Sequence, residues 1–144
     1  MTNSDESPVM IFGATRGTGL EAARILTGRG DNVAAVVRPA SDGSELESMG
    51  VDVIAGDVMD ADSVDAAMSS GSYRAVIISL GGKRGEPRPD LIGANNVVDA
   101  ALRHGVRRTL MITAIGCGDS KPAVAPKVIE VLGEVLARKT KAED

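Results

Sequence analysis

The sequence predicts an α/β fold in which a doubly wound parallel sheet of about five strands is covered by helices on both faces. Short apolar runs alternate with segments of helical periodicity along the whole chain. The first run, Val9–Phe12, leads into a loop with glycines at positions 13, 17 and 19 and then into a helix. Aromatic residues are almost absent, with Phe12 and Tyr73 and no tryptophan. The core must therefore be aliphatic, which suits a three-layer α/β/α arrangement with a parallel sheet buried on both faces.

Each predicted strand is a short run of β-branched or aliphatic residues. In chain order, the predicted strands are Val9–Phe12, Asn32–Val37, Val51–Ile54, Ala75–Ser79 and Thr109–Thr113. Because most positions in these runs are apolar, we expect both faces of the strands to be covered by helices.

Five helices are predicted from apolar residues at helical spacing. In chain order, they are Gly17–Gly28, Ser41–Met49, Asp62–Met68, a fourth that ends near His104, and a fifth that begins near Pro126. The second ends at Gly50, a common helix stop, and the third begins with Asp62 as its N-cap. The apolar faces of the last two helices carry Leu91, Ala94, Val98 and Ala101, and Val128, Val131, Leu132, Val135 and Leu136.

Size and composition restrict the class of protein. The 144 residues suit one domain, residues 1–144, with a polar N-terminal tail over residues 1–7. A net charge of −4 without a basic stripe argues against a nucleic-acid partner. The single cysteine, Cys117, excludes an internal disulfide framework, and one histidine without a Cys or carboxylate cluster predicts no metal site. Because we find neither a signal peptide nor a membrane-spanning run, we expect no membrane partner and a cytoplasmic location.

The glycine loop is the strongest functional signal. Gly13 permits a tight turn after the strand, Gly17 lets backbone N–H groups approach a diphosphate, and Gly19 lets the helix pack closely. A diphosphate would then lie at a helix N-terminus, where unpaired N–H groups favour negative charge. The intervening residues Thr15, Arg16 and Thr18 belong to the same predicted site. On this loop alone, a glycine-rich turn without a ligand remains the alternative.

Arg38 follows the second predicted strand, where an NAD-preferring protein usually has an acidic residue for the ribose 2′-hydroxyl. This chain has arginine there, and a guanidinium matches the geometry and charge of a 2′-phosphate. Arg16, within the glycine loop, could close on the same phosphate. We therefore predict that NADP(H) is preferred over NAD(H). The alternative is that both arginines are simply solvated loop residues.

Several segments together resemble the atypical short-chain dehydrogenases/reductases, and within them the NAD(P)H-binding group that includes NmrA-like regulators and biliverdin/flavin reductases. The segments are GATRGTG at residues 13–19, VVR at 36–38, GDV at 56–58, SLGG at 79–82 and MITAIG at 111–116. The resemblance implies a Rossmann-type fold with adenine held by Asp57 and the Val58 backbone. It also implies that the cofactor backbone passes the strand end at Leu80, Gly81 and Gly82. A turn aspartate and a flexible loop are the alternatives.

The catalytic residues are less well defined. The superfamily's usual proton donor is a tyrosine with a lysine four residues later, but the residue four after Tyr73 is Ile77. The strand-five position that supplies a serine in relatives is Thr113, which needs no function as a β-branched strand residue. Asn95 and Asn96 resemble an asparagine in the fourth helix of relatives, but they also suit an ordinary polar helix face. No catalytic residue is therefore assigned beyond the candidate Thr113.

The resemblance implies an NADPH-dependent reductase of a small-molecule flavin, quinone or conjugated carbonyl. The main alternative is a non-catalytic NAD(P)-sensing regulator or partner subunit, and a sugar-nucleotide or polyketide isomerase is disfavoured because the tyrosine–lysine pair is missing. Five predicted strands are fewer than the usual six of a Rossmann sheet. We therefore expect a truncated protein or one half of a split or oligomeric enzyme. A second copy or a complementing chain should cover the edge of strand five or the Val128–Leu136 face.

Overall fold

The computed structural model describes residues 6–81 and 89–144 and contains one parallel sheet in the strand order β3-β2-β1-β4-β5. The strands are β1 (Val9–Phe12), β2 (Val33–Val37), β3 (Asp52–Ala55), β4 (Ala75–Ile78) and β5 (Thr109–Met111). The predicted fold class is confirmed. At the centre of the sheet, β1 pairs with β2 on one side and β4 on the other, so that Phe12 lies between Val36 of β2 and Ile78 of β4.

Among the described residues, five α-helices connect or follow the strands. They are α1 (Gly17–Gly28), α2 (Ser44–Ser48), α3 (Ala61–Ser69), α4 (Ala94–Arg103) and α5 (Pro126–Glu143). A π-helical turn, Pro89–Gly93, leads into α4, and a 3-10 segment, Gly118–Ala123, precedes α5. In the described residues, no helix is long and apolar enough to cross a membrane.

The core forms two layers because alternate strand residues face opposite sides of the sheet. On one side, Val9 and Ile11 pack in a buried cluster with Ala23 of α1 and Leu46 of α2. On the other side, Met10 and Phe12 pack in a second cluster with residues of α3 and α4. Phe12 is fully buried at the centre of the sheet. The sheet is therefore covered on both faces by its own crossover helices, as the apolar strand runs predict.

Two helices differ from the predicted boundaries. Helix α2 begins at Ser44 rather than Ser41, because the Asp42 carboxylate accepts a hydrogen bond from the Ser44 N–H and holds a turn before the helix. The N-cap of α3 is Asp60 rather than Asp62, since the Asp60 carboxylate accepts from the Asp62 N–H at 3.1 Å. Both corrections reflect the ability of aspartate to bond to the backbone two residues later.

The last two helices bury faces that periodicity predicts only in part. In α4, Val97 and Ala100 are buried together with the predicted Ala94 and Ala101, so the buried face is rotated from the predicted one. In α5, only Leu136 of the predicted stripe is buried. Three other members of the stripe are exposed, and they are Val128, Val131 and Leu132.

Candidate functional site

The strand order places a topological switch point between β1 and β4. The chain moves outward from β1 through β2 to β3, and then returns to place β4 on the other side of β1. Ligands of open α/β sheets bind beyond the carboxyl ends of the strands at such a point, where the connecting loops diverge. Gly13 follows β1 and Ser79 follows β4 at this point. The fold therefore brings the predicted glycine loop and the end of β4 together.

Gly13 and Gly19 are required by close backbone contacts. Gly13 has a φ of +86°, and a Cβ there would lie 2.1 Å from the Ser79 carbonyl oxygen. A Cβ on Gly19 would lie 2.0 Å from the Gly13 carbonyl oxygen. The start of α1 therefore packs on the turn at Gly13 rather than on the sheet itself, which refines the role predicted for Gly19. Together these contacts fix the entry into α1 against the end of β4.

Gly17 is different, because it faces open space. Its φ is +58°, and apart from its chain neighbours and its own helix backbone, no atom of the described residues lies within 4 Å of the position of an added Cβ. Helix α1 begins at this residue with no side-chain cap and no acidic residue in its first turn. The first N–H groups of a helix have no intrahelical partner, so this end of α1 can receive an anion. The geometry thus fits a diphosphate at Gly17, Thr18 and Gly19.

The side chains of Arg16 and Arg38 are exposed and make no hydrogen bond or ion pair with the described residues. Arg38 directly follows β2, which neighbours β1 in the sheet. No carboxylate among the described residues bonds to the Arg38 side chain, so its guanidinium is available for a phosphate. The arrangement fits the 2′-phosphate of NADP(H).

The loop after β3 holds Asp57 in a defined turn. The Asp57 N–H donates to the Ser63 hydroxyl at 2.9 Å, and its carboxylate oxygen Oδ1 accepts from the Met59 N–H at 2.9 Å. The turn-forming role and the predicted adenine contact are compatible, because Oδ2 has no hydrogen-bond partner among the described residues. Val58 and Leu80, both half-buried, lie against Gly93 at the start of α4. Gly81 is exposed, and Gly82 lies outside the described residues.

Lys139 of α5 is a site residue that our sequence analysis missed. Its Nζ donates to the Leu80 carbonyl at 3.0 Å, at the end of β4. The residue four positions earlier is Val135, so this lysine has no tyrosine in the preceding turn. Most lysines in helices lie at the surface without a specific role. The sequence could therefore have indicated Lys139 as a site residue only if its helix were already known to reach the strand ends.

Thr113 and Tyr73 do not form a catalytic pair. Thr113 lies two residues beyond β5 and lines, with Leu80 and Lys139, a cavity of about 10 Å³. This volume suits about one water molecule rather than a substrate. Tyr73 lies at the amino end of β4, at the opposite end of the sheet from the glycine loop, with its hydroxyl 2.8 Å from the Ser70 hydroxyl. The described residues around the glycine loop and the end of β4 include no tyrosine that could donate a proton.

A much larger groove, of about 850 Å³, lies near the amino ends of β1, β4 and β5. Its lining includes Val9, Tyr73, Arg74 and Leu110, and none of the predicted cofactor residues. Leu110 is 57% exposed there. Because its position is opposite to the switch point, this groove does not qualify as the dinucleotide site.

Comparison with known proteins agrees with this geometry. A sequence profile of the NAD(P)H-binding family matches residues 13–144. The chain therefore belongs to the NAD(P)H-binding family, and its fold and resemblance place it among the atypical short-chain dehydrogenases/reductases related to biliverdin reductase.

Solved structures give the more particular likeness. The chain is 32% identical to the anaerobilin reductase ChuY from Escherichia coli O157:H7, with a TM-score of 0.82 over 95% of this chain and 65% of that one. It is 30% identical to ChuY from E. coli CFT073, with a TM-score of 0.78 over 95% of this chain and 63% of that one. A putative NAD-dependent epimerase/dehydratase from Bacillus halodurans shares the fold at 23% identity and a TM-score of 0.77, covering 96% and 63%. The chain thus spans slightly less than two thirds of these relatives' length.

Proposed function

We propose that this chain provides the NADPH site of a reductase whose acceptor is a flavin, a quinone or another conjugated carbonyl. The observation that carries the proposal is the arrangement at the switch point. Helix α1 begins at Gly17 without a side-chain cap, and the Arg38 side chain, at the end of the neighbouring strand, bonds to none of the described residues. The likeness to ChuY supports reduction as the class of reaction.

Each part of the site would contact a different part of the cofactor. The N–H groups at the start of α1 would bind the diphosphate, and Arg38, with Arg16, would bind the 2′-phosphate. Asp57 would accept a hydrogen bond from the adenine amine through Oδ2. Leu80 and Gly81 would line the path toward the nicotinamide. When bound, NADPH supplies a hydride.

The described residues act mainly by binding and orientation. Lys139 bonds to the Leu80 carbonyl, and Thr113 borders a cavity of one-water size, so neither offers an acid beside a substrate-sized opening. An acceptor that needs no strong protein acid, such as a flavin, therefore fits these site residues better than a simple ketone does. Positioning alone can accelerate such a transfer considerably.

The lack of an acid beside a substrate-sized opening among the described residues also favours one alternative, a non-catalytic NAD(P)-sensing regulator or partner subunit. A sensor needs the dinucleotide site but no proton donor. In that case, the protein would bind NADPH without consuming it, and occupancy would change an interaction with another protein.

One experiment separates the two functions. The 144-residue chain is first titrated with NADPH by calorimetry, and NADPH oxidation is then followed with a panel of flavins and quinones. The Gly17→Val variant serves as the control, because oxidation that belongs to this site should be lost when dinucleotide binding is abolished. Site-dependent oxidation supports the reductase, and binding without oxidation supports the sensor. Absence of NADPH binding would contradict both.

A further inference from the structure

The peptide unit between Val58 and Met59 is held at both of its polar groups. Its N–H, on Met59, donates to Asp57 Oδ1 at 2.9 Å. Its carbonyl, on Val58, accepts a hydrogen bond from Asn96 Nδ2 at 2.7 Å. Because a peptide unit is planar, fixing the carbonyl also fixes the direction of the N–H. The side chain of Asn96 therefore orients the group that the Asp57 carboxylate bonds to.

Helix α4 is well placed to supply this contact. A Cβ on Gly93 would lie 2.8 Å from Val58 Cγ2 and 3.2 Å from Leu80 Cδ1. The start of the helix thus packs directly against the loop after β3 and the end of β4. Asn96 is half-buried one turn further on, whereas its neighbour Asn95 is exposed and its side chain bonds to no described residue. The two asparagines, indistinguishable in sequence, have different environments.

The consequence concerns the second oxygen of Asp57. With Oδ1 engaged by the Met59 N–H, Oδ2 is the acceptor left for a ligand. We propose that Asn96 is a positioning residue for adenine recognition, acting through the Val58–Met59 peptide on the Asp57 carboxylate. This inference rests on the proposed function. Asn96 itself touches no cofactor atom in this account, and its effect is confined to the adenine end of the site.

The adenine 6-amino group is the donor that Asp57 would recognise, so the discriminating ligand is the hypoxanthine analogue of NADPH. That analogue carries a carbonyl in place of the amine and gives the carboxylate no donor. We expect the parent protein to prefer NADPH by about 10-fold, the effect of one hydrogen bond. In Asn96→Ala, the preference should fall to about 2-fold or less, because the carboxylate is no longer held in place. Asn95→Ala is the matched control and should keep the parent preference.

The experiment measures the dissociation constants of NADPH and its hypoxanthine analogue by calorimetry for the parent and each variant, with thermal unfolding to verify folding. Asn96→Asp, which keeps the volume but cannot donate at pH 7, is the second variant if Asn96→Ala does not fold. Adding Asn96→Ala to Asp57→Ala should reduce the discrimination no further, because both changes act on one contact.

The possible results are distinct. A reduced preference in the Asn96 variants, with the Asn95 control unchanged, supports the inference. A parent-like preference in a folded Asn96 variant overturns it, even if that variant is less stable, because a merely structural residue would lower stability without altering the ratio. A parent that binds both cofactors equally also overturns it while leaving the proposed function intact. A parent that binds neither overturns both.

Discussion

Replacement of Gly17 by alanine separates a turn glycine from a diphosphate-binding glycine. The residue has a φ of +58°, and an alanine in that conformation costs about 1–2 kcal/mol. Outside the residue's own helix and chain neighbours, no atom in the part of the chain that the structure describes lies within 4 Å of the new Cβ, so no steric clash with those residues adds to this cost. Since small domains are stabilised by about 5–15 kcal/mol, the variant should remain folded.

The effect on binding should be larger than the effect on stability. The added methyl group would occupy the space beside the first N–H groups of α1, where the diphosphate is expected. Loss of even one charge-assisted hydrogen bond costs about 1.5–3 kcal/mol, which is a reduction in affinity of about 10- to 150-fold. Gly17→Val should abolish binding, because its branched side chain needs more of the same space.

Gly30→Ala provides the matched control. Gly30 also has a positive φ, +89°, and no atom within 4 Å of an added Cβ, but it lies beyond the opposite end of α1. Urea unfolding should therefore show similar losses of stability for the two alanine variants, while calorimetry should show an NADPH deficit only for Gly17→Ala. If folded Gly17→Ala binds NADPH as tightly as Gly30→Ala does, the glycine loop is only a turn and the reasoning fails.

Three further predictions concern stability and assembly. Gly13→Ala should lose about 2–5 kcal/mol in urea unfolding, because positive φ and a clash with the Ser79 carbonyl add together; a loss below about 1 kcal/mol would contradict that contact. The pKa of Asp65 is lowered by hydrogen bonds from His104 and Arg103, so the stability that its ionised form contributes should be present above pH 4 and disappear as pH falls through the lowered value. The free energies of unfolding of the parent and Asp65→Asn should thus differ at pH 6 and converge as the pH falls below the lowered pKa, and a difference that stays constant with pH would refute the contacts of Asp65 with His104 and Arg103. Finally, we propose self-association through the exposed Leu110 and the exposed α5 residues Val131 and Leu132, so sedimentation at micromolar concentration should detect a dimer or larger species; a monomer with robust NADPH turnover would argue against it.

The sequence predicts the central part of the fold well. The bounds of β1 and α1 coincide with the predicted Val9–Phe12 and Gly17–Gly28, because an uninterrupted apolar run and required glycines leave few alternatives. The N-cap of α3 was misplaced because Asp60 and Asp62 are both suitable capping residues, and only the backbone shows which carboxylate accepts a bond. Local sequence is thus sufficient to predict the end of an element where only one residue type fits the position. It is insufficient where two neighbouring residues, such as Asp60 and Asp62, can both cap the helix.

Long-range contacts of the candidate site could not be predicted in the same way. The bond from Asn96 to Val58 spans 38 residues, and the bond from Lys139 to Leu80 spans 59. The hydrogen-bond partner of an asparagine or a lysine on a helix cannot be predicted until the packing of that helix is known. In α5, the periodic stripe predicted an apolar face, but the residues that contact the rest of the protein lie mainly in its second half, around Leu136 and Lys139.

We propose that the strand ends of β1 and β2 form a site for NADP(H), with Arg38 binding the 2′-phosphate. The most direct measurement is calorimetric titration of NADPH and NADH into the parent, Arg38→Ala and Arg108→Ala, the last being an exposed arginine at the opposite end of the sheet. We expect the parent to bind NADPH more tightly than NADH, and Arg38→Ala to lose about 1.5–3 kcal/mol of binding free energy for NADPH alone. Arg108→Ala should match the parent. Equal losses for both cofactors in Arg38→Ala, or no preference in the parent, would contradict the claim.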